Sequence, residues 1–354
     1  MYSLLIINPG SLSTKISVFH DTTEIFTSNI QHTMQELSRF PSVMDQYAFR
    51  KQLVLNELEA HHTPLQFDAV VGRGPLTRAV KSGTYAVTHA MSEATRTCRD
   101  QHACNLGCII ARDIADQIPG CRAYFADPGT TDEMMPEARI SGVPQIPHRS
   151  VWHALNQKEV ARIYCREHGV RYEDLNLIVC HMGGGISIAA HRKGQAVDVN
   201  NALNGDGPFT PNRAGTLPTA DLVRLCYSGQ YTEQQLLKIL NHHSGLLAHL
   251  GTNDPREVKQ MIDAGDDHAR VVFDAMILRI AQSIVAEAAV FCAPPDAIIL
   301  TGGLAHSDYL VSHLKQRVGW LAPVAVYAGQ KEMLALAENA IQKMKEEDAA
   351  ANKQ

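Results

Sequence analysis

Three short turns in this chain are made of residues suited to holding phosphate. His181-Met182-Gly183-Gly184-Gly185-Ile186-Ser187 follows the apolar run Leu175 to Cys180, broken only by Asn176, and returns to apolar residues through Ala190. Three consecutive glycines let main-chain N–H groups converge, so phosphate oxygens can approach where a side chain would block them. The chain also opens on Leu4 to Ile7, passes through Asn8-Pro9-Gly10-Ser11-Leu12-Ser13-Thr14-Lys15 and resumes as the alternating strand Ile16 to Phe19. There Asn8, Ser11 and Ser13 offer an amide and two hydroxyls, and Lys15 a positive charge. In the third turn, Ala297 to Leu300 runs into Thr301-Gly302-Gly303-Leu304-Ala305, where Gly302 and Gly303 let a nucleotide lie against bare backbone. One glycine triplet alone serves a tight hairpin equally well. Recurrence at three strand ends favours the phosphate reading.

The spacing excludes two common nucleotide sites. The first turn lacks G-x-x-x-x-G-K-[ST], and neither later turn carries G-x-G-x-x-G opening a helix. Two hairpin cradles far apart in sequence, with a late glycine pair, imply two similar halves facing each other across a nucleotide, the logic of the actin-like kinase fold. A length of 354 residues exceeds one core and suits two domains. A net charge of −5 without a lysine and arginine cluster argues against a nucleic-acid partner. The start carries no basic leader, and the longest apolar stretch, Ile284 to Leu300, contains Glu287, Pro294, Pro295 and Asp296. A soluble, cytoplasmic protein with no membrane partner is expected. The eight cysteines form no C-x-x-C pair and read as reduced, buried thiols.

Several elements must position these turns. Strands are expected at Ser3 to Asn8, Lys15 to His20, Glu24 to Ile30, Phe67 to Gly72 and Arg122 to Ala126, with a helix-permissive stretch from Met34 to Ala60. Helical spacing marks Met91 to Ile118, Val151 to Glu167 and Asp266 to Phe291, the last so apolar that it reads as packed on most sides. A final helix from Lys331 carries Met333, Leu334, Ala337, Ile341 and Met344 at three-to-four spacing. Pro144 and Pro147 place the domain boundary near Ile146 to Ser150, giving domains 1–148 and 149–354. Whether the last helix, about 331–347, crosses back onto the first domain stays open at this level.

These residues resemble a known family. The opening turn is similar to the N-x-G-S-S-S-x-K signature of the acetate and butyrate kinases, with Leu12 in place of the middle serine, and the His181 turn resembles their second signature. Trp152 to Lys158, Gly207 to Arg213, Gly215 to Pro218 and Leu250 to Val258 look like the butyrate-kinase branch. The resemblance covers nearly the whole chain. It implies an α/β, two-domain actin-like fold of duplicated ribonuclease H-like domains. It also implies reversible phosphoryl transfer from ATP, with Mg2+, to a short-chain carboxylate such as butyrate or a branched analogue, giving ADP and an acyl phosphate. A homodimer or larger homo-oligomer is expected.

A carboxylate acceptor is already ionised at neutral pH and needs no general base; the obstacle is bringing one anion to another. By resemblance, Arg73, bracketed by Gly72 and Gly74, holds the acceptor carboxylate and the moving phosphoryl group, and Arg213 stands for the second family arginine. Asp127 resembles the essential active-site aspartate, in water-mediated Mg2+ binding or in orienting a donor, and Glu332 the magnesium-associated glutamate. Family position gives His153 a hydrogen bond to the phosphoryl group, with His181 close by; a buried histidine satisfying a carbonyl is an equal reading for His181. Gln157 stands where acetate kinases carry another histidine. Pro75, Leu76, Trp152 and Pro211 match acyl-pocket positions. The rival from another class is an actin-like ATP-driven assembly ATPase, which has no use for a carboxylate clamp.

Overall fold

The computed structural model describes residues 1–98, 101–204 and 206–352. The chain divides into two compact units, one of residues 1–131 with 331–354 and one of residues 132–330.

The first unit is built on six strands: β1 (Ser3–Pro9), β2 (Ser13–His20), β3 (Thr23–Gln31), β4 (Ala69–Gly72), β5 (Thr84–Ala86) and β6 (Arg122–Ala126), in the order β3-β2-β1-β4-β6-β5. β1, β2 and β3 form an antiparallel meander, and β4 and β6 continue the sheet parallel to β1. β1, β4 and β6 are apolar at every position from Leu4 to Ile7, Ala69 to Val71 and Ala123 to Ala126, because both faces are covered. Leu5, Ile7, Val70 and Phe125 pack with Leu106, Ile109, Ile110 and Ile114 of the helix Asn105–Ala115. The opposite face takes the helix Glu332–Ala351, which contacts β1, β4 and β6 and buries Met333, Leu336, Ala337, Ala340, Ile341 and Met344. Its far end is tied down by hydrogen bonds from Tyr2 to Asp348 and from Tyr124 to Glu347.

The second unit repeats the plan with β7 (Asn176–Met182), β8 (Ile186–Arg192), β9 (Gln195–Val199), β10 (Ala297–Gly302) and β11 (Val324–Ala328), in the order β11-β10-β7-β8-β9. β7, β8 and β9 are again an antiparallel meander, followed by two strands parallel to β7. Both meanders even carry a register shift in their second strand, at Val18/Phe19 and Ala190/His191. One topology used twice is the duplicated ribonuclease H-like architecture. Ile178, Cys180, Ile298 and Leu300 pack under the helix Asp267–Glu287, while Leu177, Val179, Ala297 and Ile299 pack under the helix Ala154–Glu167.

Several elements differ from the sequence expectation. The helical pattern over Met91 to Ile118 is two helices, His89–Arg96 and Asn105–Ala115; Arg99 and Asp100 lie outside the described residues. The helix Asp267–Glu287 is buried along one face only, with Val271 and Leu278 exposed, so its apolar residues exceed what its core contact uses. The division between units falls at Thr131/Asp132, ahead of the prolines at 144 and 147. The reason lies in the segment after Asp132: Met135 N–H donates to Val197 O, and Glu133 pairs with Lys158 at 2.8 Å. Cys226 and Cys292 are exposed, contrary to the expectation of buried thiols throughout.

Candidate active site

In the first unit, the end of β4 delivers Arg73 to a built cluster. Glu332, the first residue of the final helix, is buried, and its Oε2 accepts from Arg73 Nη1 at 2.6 Å and from Asn8 Nδ2 at 2.7 Å. Arg73 Nη1 also reaches Asn8 Oδ1 at 3.3 Å. Burial works against the Arg73 charge, but the Glu332 carboxylate outweighs it and holds the guanidinium above its ordinary value. Both bonds run through Nη1, so Nη2 and Nε remain as an unengaged edge of a side chain that is 28% exposed. Such an edge matches a carboxylate in bidentate fashion. Glu332 Oε1 is buried without a hydrogen-bond partner, a hard, anionic oxygen of the kind Mg2+ takes.

Glycines set the backbone of Arg73. A Cβ on Gly72 would lie 2.2 Å from Gly107 O, one on Gly107 2.8 Å from Arg73 N, and one on Gly74 2.6 Å from Pro128 Cβ. The last contact joins the Arg73 loop to the loop after β6, where Asp127 sits. Asp127 is buried in the left-handed region at φ 37°, and its Oδ1 accepts from Ser82 Oγ at 2.7 Å and Gly83 N at 2.9 Å. Holding that strained turn is a structural task for Asp127. Pro75 is buried and Leu76 half-buried; Leu76 N–H donates to Asn105 Oδ1.

The opening turn is held from beneath by Arg50, a fully buried residue of the helix Tyr47–Ala60 that sequence reading missed. Its Nη1 donates to Gly10 O at 2.9 Å, Ser13 O at 2.9 Å and Thr14 Oγ1 at 3.1 Å, and Nη2 to Ser11 O at 3.2 Å. Collecting the carbonyls on one side leaves the turn's other side to donors. Ser11 is exposed at its tip, Ser13 half-buried, and Lys15 opposes Asn8 in the β1–β2 register, which puts both on one sheet face. Burial lowers Arg50 to about 10.

In the second unit, the β7–β8 hairpin turns through Gly183 to Gly185, with Gly183 N–H donating to Gly185 O. A Cβ on Gly183 or Gly184 would meet nothing nearer than 3.6 Å, so those two positions face space, whereas one on Gly185 would lie 2.6 Å from Arg213 Nη1. Arg213 donates to Ala202 O, its Nε is buried without a partner, and burial lowers its pKa. A buried guanidinium whose bond goes to a neutral carbonyl attracts an anion. Alternation along β7 and β8 places His181 and Ser187 on the face under the helix Ala154–Glu167. His153, the N-cap of that helix, stacks on His181 with ring centroids 3.8 Å apart, and Gly185 abuts His153 Cε1.

The glycines open into a cavity of about 980 Å³ lined by Gly183, Gly184, Pro211, Asn212, Arg256, Lys259, Gly303 and Ser307 among others. That volume suits a nucleotide. Gly303 fronts it, while Gly302, at φ 89°, packs against Met182, where a Cβ would meet Met182 O at 2.3 Å. Pro211 therefore lies on the cavity wall. Trp152 is buried among Met134, Ala189, Ala196 and Val199, edge-on to His191, so its ring serves the core. Among the described residues, no three His, Cys, Asp or Glu side chains gather as a metal site, and no helix is long and apolar enough to cross a membrane.

A sheet topology used twice, with glycine turns of the second unit fronting a nucleotide-sized cavity, marks the actin-like kinase fold, and solved structures agree. The fold matches acetate kinase from Porphyromonas gingivalis (TM-score 0.79, 17% identity, 97% of this chain and 100% of that one) and a propionate kinase from Francisella tularensis (TM-score 0.74, 17% identity, 96% and 99%). The acetokinase family model matches residues 150–322. Proteins described as "Probable butyrate kinase" are 52% identical in Bacteroides thetaiotaomicron, over 96% of both chains, and 46% identical in Clostridium botulinum, over 99% of both. The chain belongs to the acetokinase family and is a phosphotransferase with a carboxyl group as acceptor.

Proposed function

We propose that this enzyme reversibly phosphorylates butyrate or a branched short-chain analogue with ATP, giving the acyl phosphate and ADP. The observation that carries the reading is the open Nη2–Nε edge of Arg73, fixed at its other nitrogen by Glu332 and Asn8 and partly exposed at a strand end. An assembly ATPase has no use for such a clamp. The names of the relatives described above support the choice of acid.

In this reading, Arg73 binds the acceptor carboxylate. Gly183, Gly184 and Gly303 leave room for the nucleotide, and Asn8, Ser11, Ser13 and Lys15 present donors to phosphate. Arg213, short of a counter-charge, meets the transferring phosphoryl group, and His153 and His181 donate hydrogen bonds to it. Mg2+ supplies charge neutralisation on the phosphates when bound. Glu332, through its unpartnered Oε1, would hold it, and Asp127 shapes the adjoining loop. Pro75, Leu76 and Pro211 border the acid, with Trp152 behind as support. Each methylene is discriminated by only about 1–3 kcal/mol, so chain-length preference is read from kinetics. The expected homodimer or larger homo-oligomer is read by sedimentation.

A hydroxamate assay over acetate, propionate, butyrate, isobutyrate and isovalerate tests the proposal. Acyl phosphate formation is expected, highest with four- or five-carbon acids. No product from any of them, with ATP hydrolysis indifferent to added acid, overturns it in favour of an ATP-driven conformational protein.

A further inference from the structure

The helix Ala154–Glu167 turns Asn156 and Gln157, both fully buried, toward the sheet, where they enter two hydrogen-bonded chains with fixed direction. Gln157 Nε2 lies 3.0 Å from the main-chain oxygen of Ser187, which can only accept, so the amide nitrogen faces Ser187 and Oε1 faces His191. His191 Nε2, 3.1 Å from that Oε1, therefore carries a proton, and its Nδ1 accepts from the Tyr172 hydroxyl. Burial, reinforced by Lys158 and Arg162, keeps His191 neutral by pushing its pKa well below the ordinary value. Toward the turn, Ser187 Oγ accepts from Gln157 Nε2 at 2.7 Å and from the His153 main-chain N–H at 3.4 Å, which fills both of its acceptor sites, so its own proton goes to His153 Nδ1 at 2.8 Å. The His153 proton is thereby left on Nε2. A separate chain gives His181 the same tautomer: Thr301 Oγ1 donates to Gly329 O and so accepts from Asn156 Nδ2, whose second N–H meets His181 Nδ1 at 2.9 Å.

We propose that Tyr172, His191, Gln157 and Ser187 are positioning residues, a directional relay that fixes His153 as an Nε2–H donor. The relay extends the reading that His153 meets the transferring phosphoryl group, and rests on it for its catalytic consequence. A donor already in the right tautomer need not reorganise as charge shifts. Gln157 suits this task because an amide holds one donor end and one acceptor end at every pH.

Long-range 1H–15N spectra of histidine-labelled enzyme test the relay without any turnover. In the unaltered protein, neutral His153 is expected with Nδ1 bare and Nε2 protonated. Gln157→Glu is isosteric. As a neutral acid it copies the amide, donating to Ser187 and accepting from His191; ionised, it accepts from both and draws the Ser187 proton away from His153. The Nδ1–H form of His153 is thus expected to grow in with rising pH in this variant alone. Alongside, kcat falls about 10- to 100-fold, while the nucleotide KM stays within about twofold. Ser187→Ala, which deletes the donor, is expected to release the tautomer at every pH. A proton on Nδ1 in the unaltered protein, or an unmoved tautomer in both folded variants, overturns the relay. Failure to make any acyl phosphate would overturn the functional reading and leave the spectra to decide the relay separately.

Discussion

Replacing Arg50 by methionine separates anchorage of the opening turn from overall stability. The side chain makes four bonds to that turn, to Gly10 O, Ser11 O, Ser13 O and Thr14 Oγ1, and a fifth to Gln46. Two of the four acceptors keep another hydrogen-bond partner after substitution: Ser13 O is also bonded by Gly10 N–H, and Thr14 Oγ1 pairs with His32 at 2.8 Å. The loss to the turn is therefore about two charge-assisted bonds, or about 3–5 kcal/mol. Removing a buried cation also relieves its desolvation, which offsets much of that loss in the global balance. The net shift in Tm is expected to stay within about 4 °C. Locally no such offset applies. Amide exchange at Gly10 and at His32, whose N–H donates to Leu12 O, should accelerate about 100-fold, the equivalent of roughly 3 kcal/mol. A fall in kcat of about tenfold or more should accompany it, since Ser11 and Ser13 lose their fixed orientation. Arg50→Lys should recover only part, because one ammonium cannot span carbonyls that a guanidinium fork joins. Exchange at Gly10 and His32 unchanged to within about threefold would refute the anchoring argument.

Arg73→Ala should lower kcat by about 10²- to 10³-fold while ADP binding by calorimetry stays near normal; equal loss of both would indicate a damaged fold. Gly183→Ala and Gly184→Ala should leave Tm unchanged, having nothing nearer than 3.6 Å to meet, yet weaken nucleotide binding, whereas Gly185→Ala must displace Arg213 and reduce kcat as well. Glu287 has a buried Oε2 with no partner, and burial together with Asp198 raises its pKa well above 4.5. A raised native value means the folded state holds a proton that the unfolded state releases, so this group costs stability as pH rises past the ordinary carboxyl range. Glu287→Gln should raise Tm by about 2–4 °C at pH 7–8, with the gain fading toward pH 5 in a calorimetric series.

What the sequence disclosed was local. The β1–β2 and β7–β8 hairpins are legible because strand, small-residue turn and strand are contiguous, and the final helix because its apolar spacing lies within one segment. Asn8, Arg73 and Glu332 meet as a cluster only through tertiary packing, which residue types cannot announce; family resemblance pointed to them one by one. Arg50 gave no signal, being a charged residue in a helix-permissive stretch some forty positions from the carbonyls it collects. Gly107 stands inside the apolar helix Asn105–Ala115, and its missing side chain is what lets the Arg73 backbone approach. Gln157, Ser187 and His191 sit in strand and helix patterns where polar residues usually mark a solvent face, and only the register of β8 against the helix shows that they face inward. The prolines at 144 and 147 mark irregular chain correctly, but irregularity is not a boundary when Glu133 and Met135 are already bonded to the second unit.

The first unit is assembled from two stretches of chain separated by about 200 residues. At ribosomal speeds of about 5–20 residues per second, the helix that covers one face of β1, β4 and β6 emerges roughly 10–40 s after residue 131. During that interval an apolar sheet face in the nascent chain lacks its lid, and Arg73 waits for its acidic partner. Newly made protein should therefore engage chaperones through its early segment, and the Arg73–Glu332 pair is among the last features to mature.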